Sequence, residues 1–202
     1  MNGMNKFIAL LFLFSSLHLS AQKVAWKKLG SAEKVWVVTH PFVAKRAYKI
    51  SQHVLNVVDS LKQSNYFTGN TLSGSNADAV RHAYWMAVLS SEIGARKSLK
   101  LGKAHEKKNR KDFERGELEE AFLPDEAAME MDLRNNIVGS EVKGESREML
   151  LHQVLLALKS GLLWKIKQNP NGNFLNKEGE VIPLQNWSGK WKNERVLVPT
   201  SL

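Results

Sequence analysis

From Ser31 onward, apolar residues recur at the three- and four-residue spacing of helices. Val43, Ala47, Ile50, Val54, Val57, Val58 and Leu61 make one stripe with polar residues between them. That spacing predicts an amphipathic helix beginning at Pro41, a residue suited to a first helical position. The shorter apolar segment "AEKVWVVTH" is expected to stop just before that proline. "NYFTGNTLSGS" then holds two glycines among Ser, Thr and Asn, and is predicted to be a loop. Ser75 caps the next helix, with Asp78 three residues on as in a capping box, and the helix should run to about Ile93. It is apolar almost all round (Ala79, Val80, Ala83, Tyr84, Trp85, Met86, Ala87, Val88, Leu89), which belongs at the centre of a bundle.

Gly94 breaks that helix. "ARKSLKLGKAHEKKN" is predicted as a shorter basic helix ending near His105-Glu106, and Arg110 to Leu123 as a charged, exposed segment. Asp125 opens "EAAMEMDLRNNIVG", which Gly139 is expected to stop. A last long helix is predicted over about Glu145–Leu163, burying Met149, Leu150, Val154, Leu155, Leu158 and Leu162. Beyond Gly161, short alternating runs broken by Asn-Pro-Asn-Gly and Lys-Glu-Gly-Glu predict a small β-hairpin. The tail with Trp187 and Trp191 is expected either to dock over the bundle or to lie loose. The fold class is therefore mainly α: a single-domain helical bundle over 22–168, with a small C-terminal β-hairpin and tail over 169–202.

Composition changes this picture at the N-terminus. Lys6 precedes the apolar run "FIALLFLF", and "HLSA" ends in small residues, the layout of a secretory signal too short to span a bilayer. A signal peptide is expected over 1–21, starting at Met1 or Met4, so the mature chain should be exported, to the periplasm or beyond the cell. No transmembrane helix is expected after its removal. The absence of cysteine excludes a disulfide framework, a thiolate-bound metal, a cysteine nucleophile and a lipoprotein anchor. A formal charge of +9 makes anionic lipid or another anionic envelope polymer the expected partner. Nothing beyond the charge indicates nucleic acid.

The candidate chemistry lies on three helices, at polar positions inside apolar patterns. Asp78 and His82 are four apart and share a face, with Arg81 beside them and Trp85 one turn on. His105-Glu106 follows Leu101 and Ala104. Asp132 lies three and four residues before Asn135 and Asn136. A His beside a carboxylate is a general base, and an Arg can grip a phosphate or carboxylate with two parallel bonds. His82 is thus the expected base, Asp132 its orienting acid and Arg81 the anion holder. His105 and Glu106 would bind a divalent metal or act as acid, and Asp78, Asn135, Asn136 and Trp85 would line the site.

The bland roles are equally concrete. Asp78 could belong only to the Ser75 cap, Arg81 could be a counter-ion to Asp132 or Glu106, and His105 could sit at the negative pole of a helix end. No Gly-rich phosphate loop, Gly-x-Ser-x-Gly elbow or His-Glu-x-x-His motif is present. The order His, His-acid, Asp is similar to that of helical metal-dependent phosphohydrolases, although His-Glu stands here for their His-Asp. Secreted bacterial phospholipases A2 carry a similar Arg-His, but with Asp directly after the His, where this chain has Ala83.

In "HPFVAKRAY" (40–48), "DAVRHAYW" (78–85), "AHE" (104–106), "MDLRNNIVG" (131–139) and "SGLLWKIK" (160–167), the sequence resembles an uncharacterised, mainly helical bacterial domain family. That family occurs in exported and toxin-like proteins. The resemblance spans Thr39 to Lys167 and matches Asp78, Arg81, His82, Trp85, His105, Glu106, Asp132, Asn135, Asn136 and Gly139, and it implies no activity. Two functions stay open: a hydrolase of ester or phosphodiester bonds, and a non-catalytic binding or structural module whose polar network fixes helix register.

Overall fold

The computed structural model describes residues 26–67, 69, 73–118 and 122–200, so the expected signal over 1–21 lies outside the described residues. Helix α1 (Ser31–Thr39) ends where Pro41 begins α2 (Pro41–Gln63). Proline lacks only an N–H that a first turn leaves unbonded anyway. The stripe on α2 faces inward through Ala47, Ile50, Val54 and Val58. Ser75 Oγ accepts the Asp78 N–H at 3.3 Å and caps α3 (Asn76–Ile93). That helix is buried along most of its length.

Three helices differ from their expected bounds, each for a visible reason. Helix α4 (Ala95–Arg115) runs well past His105-Glu106. The pairs Lys108–Asp112 and Arg110–Glu114, four residues apart, and the burial of Asn109 and Asp112 carry it on to Gly116. His105 is therefore mid-helix, and a helix-end dipole does not explain it. Helix α5 (Glu126–Glu141) runs straight through Gly139. A Cβ there would lie 2.1 Å from the Ala83 carbonyl oxygen, so this glycine lets α5 press against α3 rather than ending a helix. Helix α6 (Arg147–Lys159) starts only after Ser146, whose Oγ caps it by accepting the Met149 N–H at 3.2 Å. It buries Leu150, Val154 and Leu158, but Met149 and Leu162 are exposed.

Helix α3 packs against α2, α4, α5 and α6, while α1 lies across α4. This is the expected helical bundle with its small two-stranded antiparallel sheet near the C-terminus. Strand β1 (Trp164–Ile166) pairs with β2 (Leu197–Pro199), placing Trp164 opposite Pro199 and Ile166 opposite Leu197. The intervening chain turns back twice, with isolated bridges Gln168–Phe174 and Leu175–Val181, and includes the short α7 (Leu184–Trp187).

A second apolar cluster of Ala128, Met131, Ile166, Phe174, Ile182 and Trp187 sits under these turns. The Arg195 guanidinium lies 4.5 Å and 5.2 Å from the Phe174 and Trp187 rings and pairs with buried Asp125. Trp191 packs on Phe113 and under Arg110. The tail is docked. Among the described residues, no helix is long and apolar enough to cross a membrane.

Candidate functional site

Asp78 stands on the first turn of α3 with both carboxylate oxygens engaged. Its Oδ2 accepts the Gly74 N–H at 2.7 Å, while Oδ1 lies 2.6 Å from Arg81 Nη2 and 3.6 Å from His82 Nε2. Gly74 has φ 82° and is backed by Ile166, whose N–H bonds to the Gly74 carbonyl at 2.9 Å. A side chain at Gly74 would be strained by that φ and would strike Ile166, so the turn that receives Asp78 requires glycine. The Ser75 cap is real, yet Asp78 contributes to it through its backbone and keeps its carboxylate for the loop and for the centre.

His82 lies one turn further on. Its Nε2 is 3.1 Å from Arg81 Nη2 and 3.3 Å from Asp132 Oδ1 on α5. A guanidinium only donates, so Nε2 accepts from Arg81 in the neutral tautomer that carries its proton on Nδ1. Nε2 thus lies between the Arg81 guanidinium and the Asp78 and Asp132 carboxylates. Asp78, His82 and Asp132 are each no more than 3% exposed. One ligand atom from each lies within 4.8 Å of the other two. Two carboxylate oxygens and one imidazole nitrogen form a donor set suited to a hard or borderline divalent ion.

His105 sits beside this centre. Its ring centroid is 6.4 Å from that of His82 and 5.9 Å from that of Trp85, which meets both histidines edge-on. Trp85 is fixed by its indole N–H, which donates to Ser51 Oγ at 2.9 Å. The carboxylate partner of His105 is Glu33 of α1, 3.0 Å from Nδ1. Burial works to raise the pKa of Glu33, but the hydrogen bond and charge of His105, the Gly30 N–H and the Lys108 charge together hold it below the ordinary value.

Glu106, the next residue of α4, is buried and accepts from Asn109 Nδ2 at 3.3 Å. Among the described residues, the group placed to hold a metal is Asp78, His82 and Asp132, and the expected ligands His105 and Glu106 are not in it. Asn135 makes a paired contact with β1: its Nδ2 donates to the Trp164 carbonyl and its Oδ1 accepts the Trp164 N–H, each at 2.9 Å. That amide fastens helix to strand. Asn136 is buried against Gly102, where a Cβ would come within 2.9 Å of its Nδ2.

Sequence reasoning did not reach Glu33 or Gly74. Glu33 carried one readable signal, its place in the first turn of a helix after Gly30, where its Oε2 accepts the Gly30 N–H at 2.7 Å. Nothing local could announce that its other oxygen meets His105.

Fold and site together define a helical domain in which the central helix and its neighbour α5 bring together a buried Asp–His–Asp centre closed by an arginine. A family model described as a domain of unknown function (DUF6973) matches residues 34–162, and the chain belongs to that family. The matched span includes Asp78, Arg81, His82, His105 and Asp132. No curated protein and no solved structure is detectably similar to the chain.

Proposed function

We propose that this domain is a divalent-metal-dependent hydrolase of ester or phosphodiester bonds, acting outside the cytoplasm on lipid or another envelope polymer. The observation that carries the reading is the convergence of Asp78, His82 and Asp132, three buried ligating groups from two helices, within 4.8 Å. An ion held there would activate water and polarise the bond under attack. Arg81 would hold the anionic part of the substrate. His105, oriented through Nδ1 by Glu33, would protonate the leaving group, since a carboxylate on one ring nitrogen positions the other for proton transfer. Export is the reading of residues 1–21, and the net charge of +9 suits an anionic substrate surface.

A second reading is favoured by the 2.6 Å contact between Arg81 and Asp78. On that reading, Arg81 already supplies the positive charge the carboxylates need, and the network serves only to hold α3 and α5 in register. The deciding experiment is metal analysis of the purified protein together with a panel of chromogenic esters and phosphodiesters. His82→Ala and Asp132→Asn should keep the helical circular dichroism while losing bound metal and turnover. The loss should exceed the roughly 100-fold typical of an outer-shell partner. A wild type that retains no ion and cleaves nothing leaves the register reading standing.

A further inference from the structure

Arg81 and the metal reading compete for the same atoms. Nη2 lies 2.6 Å from Asp78 Oδ1 and 3.1 Å from His82 Nε2, which are themselves 3.6 Å apart. A divalent ion bound about 2.1 Å from both ligand atoms could be no more than about 3.3 Å from Nη2 on any side of the line joining them. Two cations do not share that space in a buried site. We infer that Arg81 and the ion exclude one another, and that the arriving ion turns the guanidinium outward into a clamp for a phosphate-type anion. This rests on the metal-dependent reading above.

Exposure supports the direction of movement. The Arg81 side chain is 17% accessible, against 2–3% for those of Asp78, His82 and Asp132, so of the four it is the one partly open to solvent. Its role in the ion-free centre is to offset buried carboxylate charge. A divalent ion takes over that role, since two carboxylates balance two positive charges. The displaced guanidinium then keeps its planar fork of donors for a phosphoryl oxygen pair, which a lysine cannot match. Substrate recognition would then require the loaded centre, and an empty site would hold its anion-binding arm folded into itself.

The test is a calorimetric titration of Mn²⁺ into the full chain, with and without inorganic phosphate, for the wild type, Arg81→Met and Arg81→Lys. In the wild type, phosphate should tighten Mn²⁺ about tenfold, and Mn²⁺ should tighten phosphate by the same factor, because such coupling is reciprocal. Arg81→Met removes the competing cation, so Mn²⁺ should bind at least about tenfold tighter while the phosphate coupling disappears. Arg81→Lys keeps the charge and the competition but should lose most of the coupling. Should Arg81→Met fail to fold, the presence of coupling in the wild type and its loss in the lysine variant still decide the matter. Mn²⁺ affinity equal in all three proteins, or coupling that survives in either variant, overturns the exclusion and leaves the metal centre intact. No Mn²⁺ binding to the wild type or to either variant sinks the metal reading itself.

Discussion

Glu33 shows how much one carboxylate can connect. It joins the start of α1, through the Gly30 N–H, to His105 in the middle of α4. Its pKa lies below the ordinary 4.5 because the interactions with His105, Gly30 and Lys108 outweigh the effect of burial. A carboxyl lowered on folding contributes stability that is fully present above its unfolded value and fades as pH falls through the folded one. Glu33→Gln should therefore cost about 1–3 kcal/mol at neutral pH, and its deficit should shrink in acid. Urea unfolding at pH 7 and below pH 4 checks this, and a deficit constant with pH would show that the charge of Glu33 is not what matters.

At this scale the sequence was informative about spacing and silent about distance along the chain. The four-residue separation of Asp78 and His82 in an apolar helix was enough to mark them. The Asp132 contact followed from a second polar position inside an apolar pattern. The Glu33–His105 pair, which depends on how α1 lies across α4, left no trace in either local pattern.

Helices were legible in kind and less so in extent. Apolar periodicity located all the long helices, but one stop signal and one charged run misplaced their ends. Gly139 looked like a terminator because glycine is favoured after a helix. A glycine that admits a neighbouring backbone has the same letter, and only the approach of Ala83 separates the two roles. Gly139→Ala should force α5 away from α3 and cost about 3 kcal/mol, the upper range of core overpacking. The urea midpoint measures it, and an unchanged midpoint would mean that the helices have room to part. The continuation of α4 to Arg115 was hidden because Asn109 and Asp112 look solvent-facing in a charged run, yet both are buried. Buried polar residues read as surface until their partners are known.

Across the whole molecule, the helical class and the small C-terminal sheet followed from pattern alone. The pairing of β1 with the distant β2 did not, since strand partners far apart in sequence carry no local register signal. The tail is secured by Arg195, which lies against two aromatic rings and pairs with Asp125. The other Asp125 oxygen accepts the Ala128 N–H at 2.9 Å and caps α5. Arg195→Met should thus leave a buried carboxylate without its cation, at a cost of about 3–5 kcal/mol. In limited proteolysis the variant should be cut first near Lys190 and Lys192, with the central helix still protected. Cleavage starting elsewhere would mean that the tail is held by its tryptophans alone.

The Gly74 peptide has a consequence for the order in which the protein is completed. Its N–H serves Asp78 and its carbonyl serves Ile166, whose strand is paired in turn by Leu197. During synthesis α3 emerges before the residues that pin its first turn, Ile166 and its strand partner Leu197, which lie well further along the chain. The Asp78 carboxylate therefore takes up its final position only after both strands have been made. Chains cut short before Leu197 should contain the helices of the centre without the centre itself, so any chemistry there would wait for that sheet.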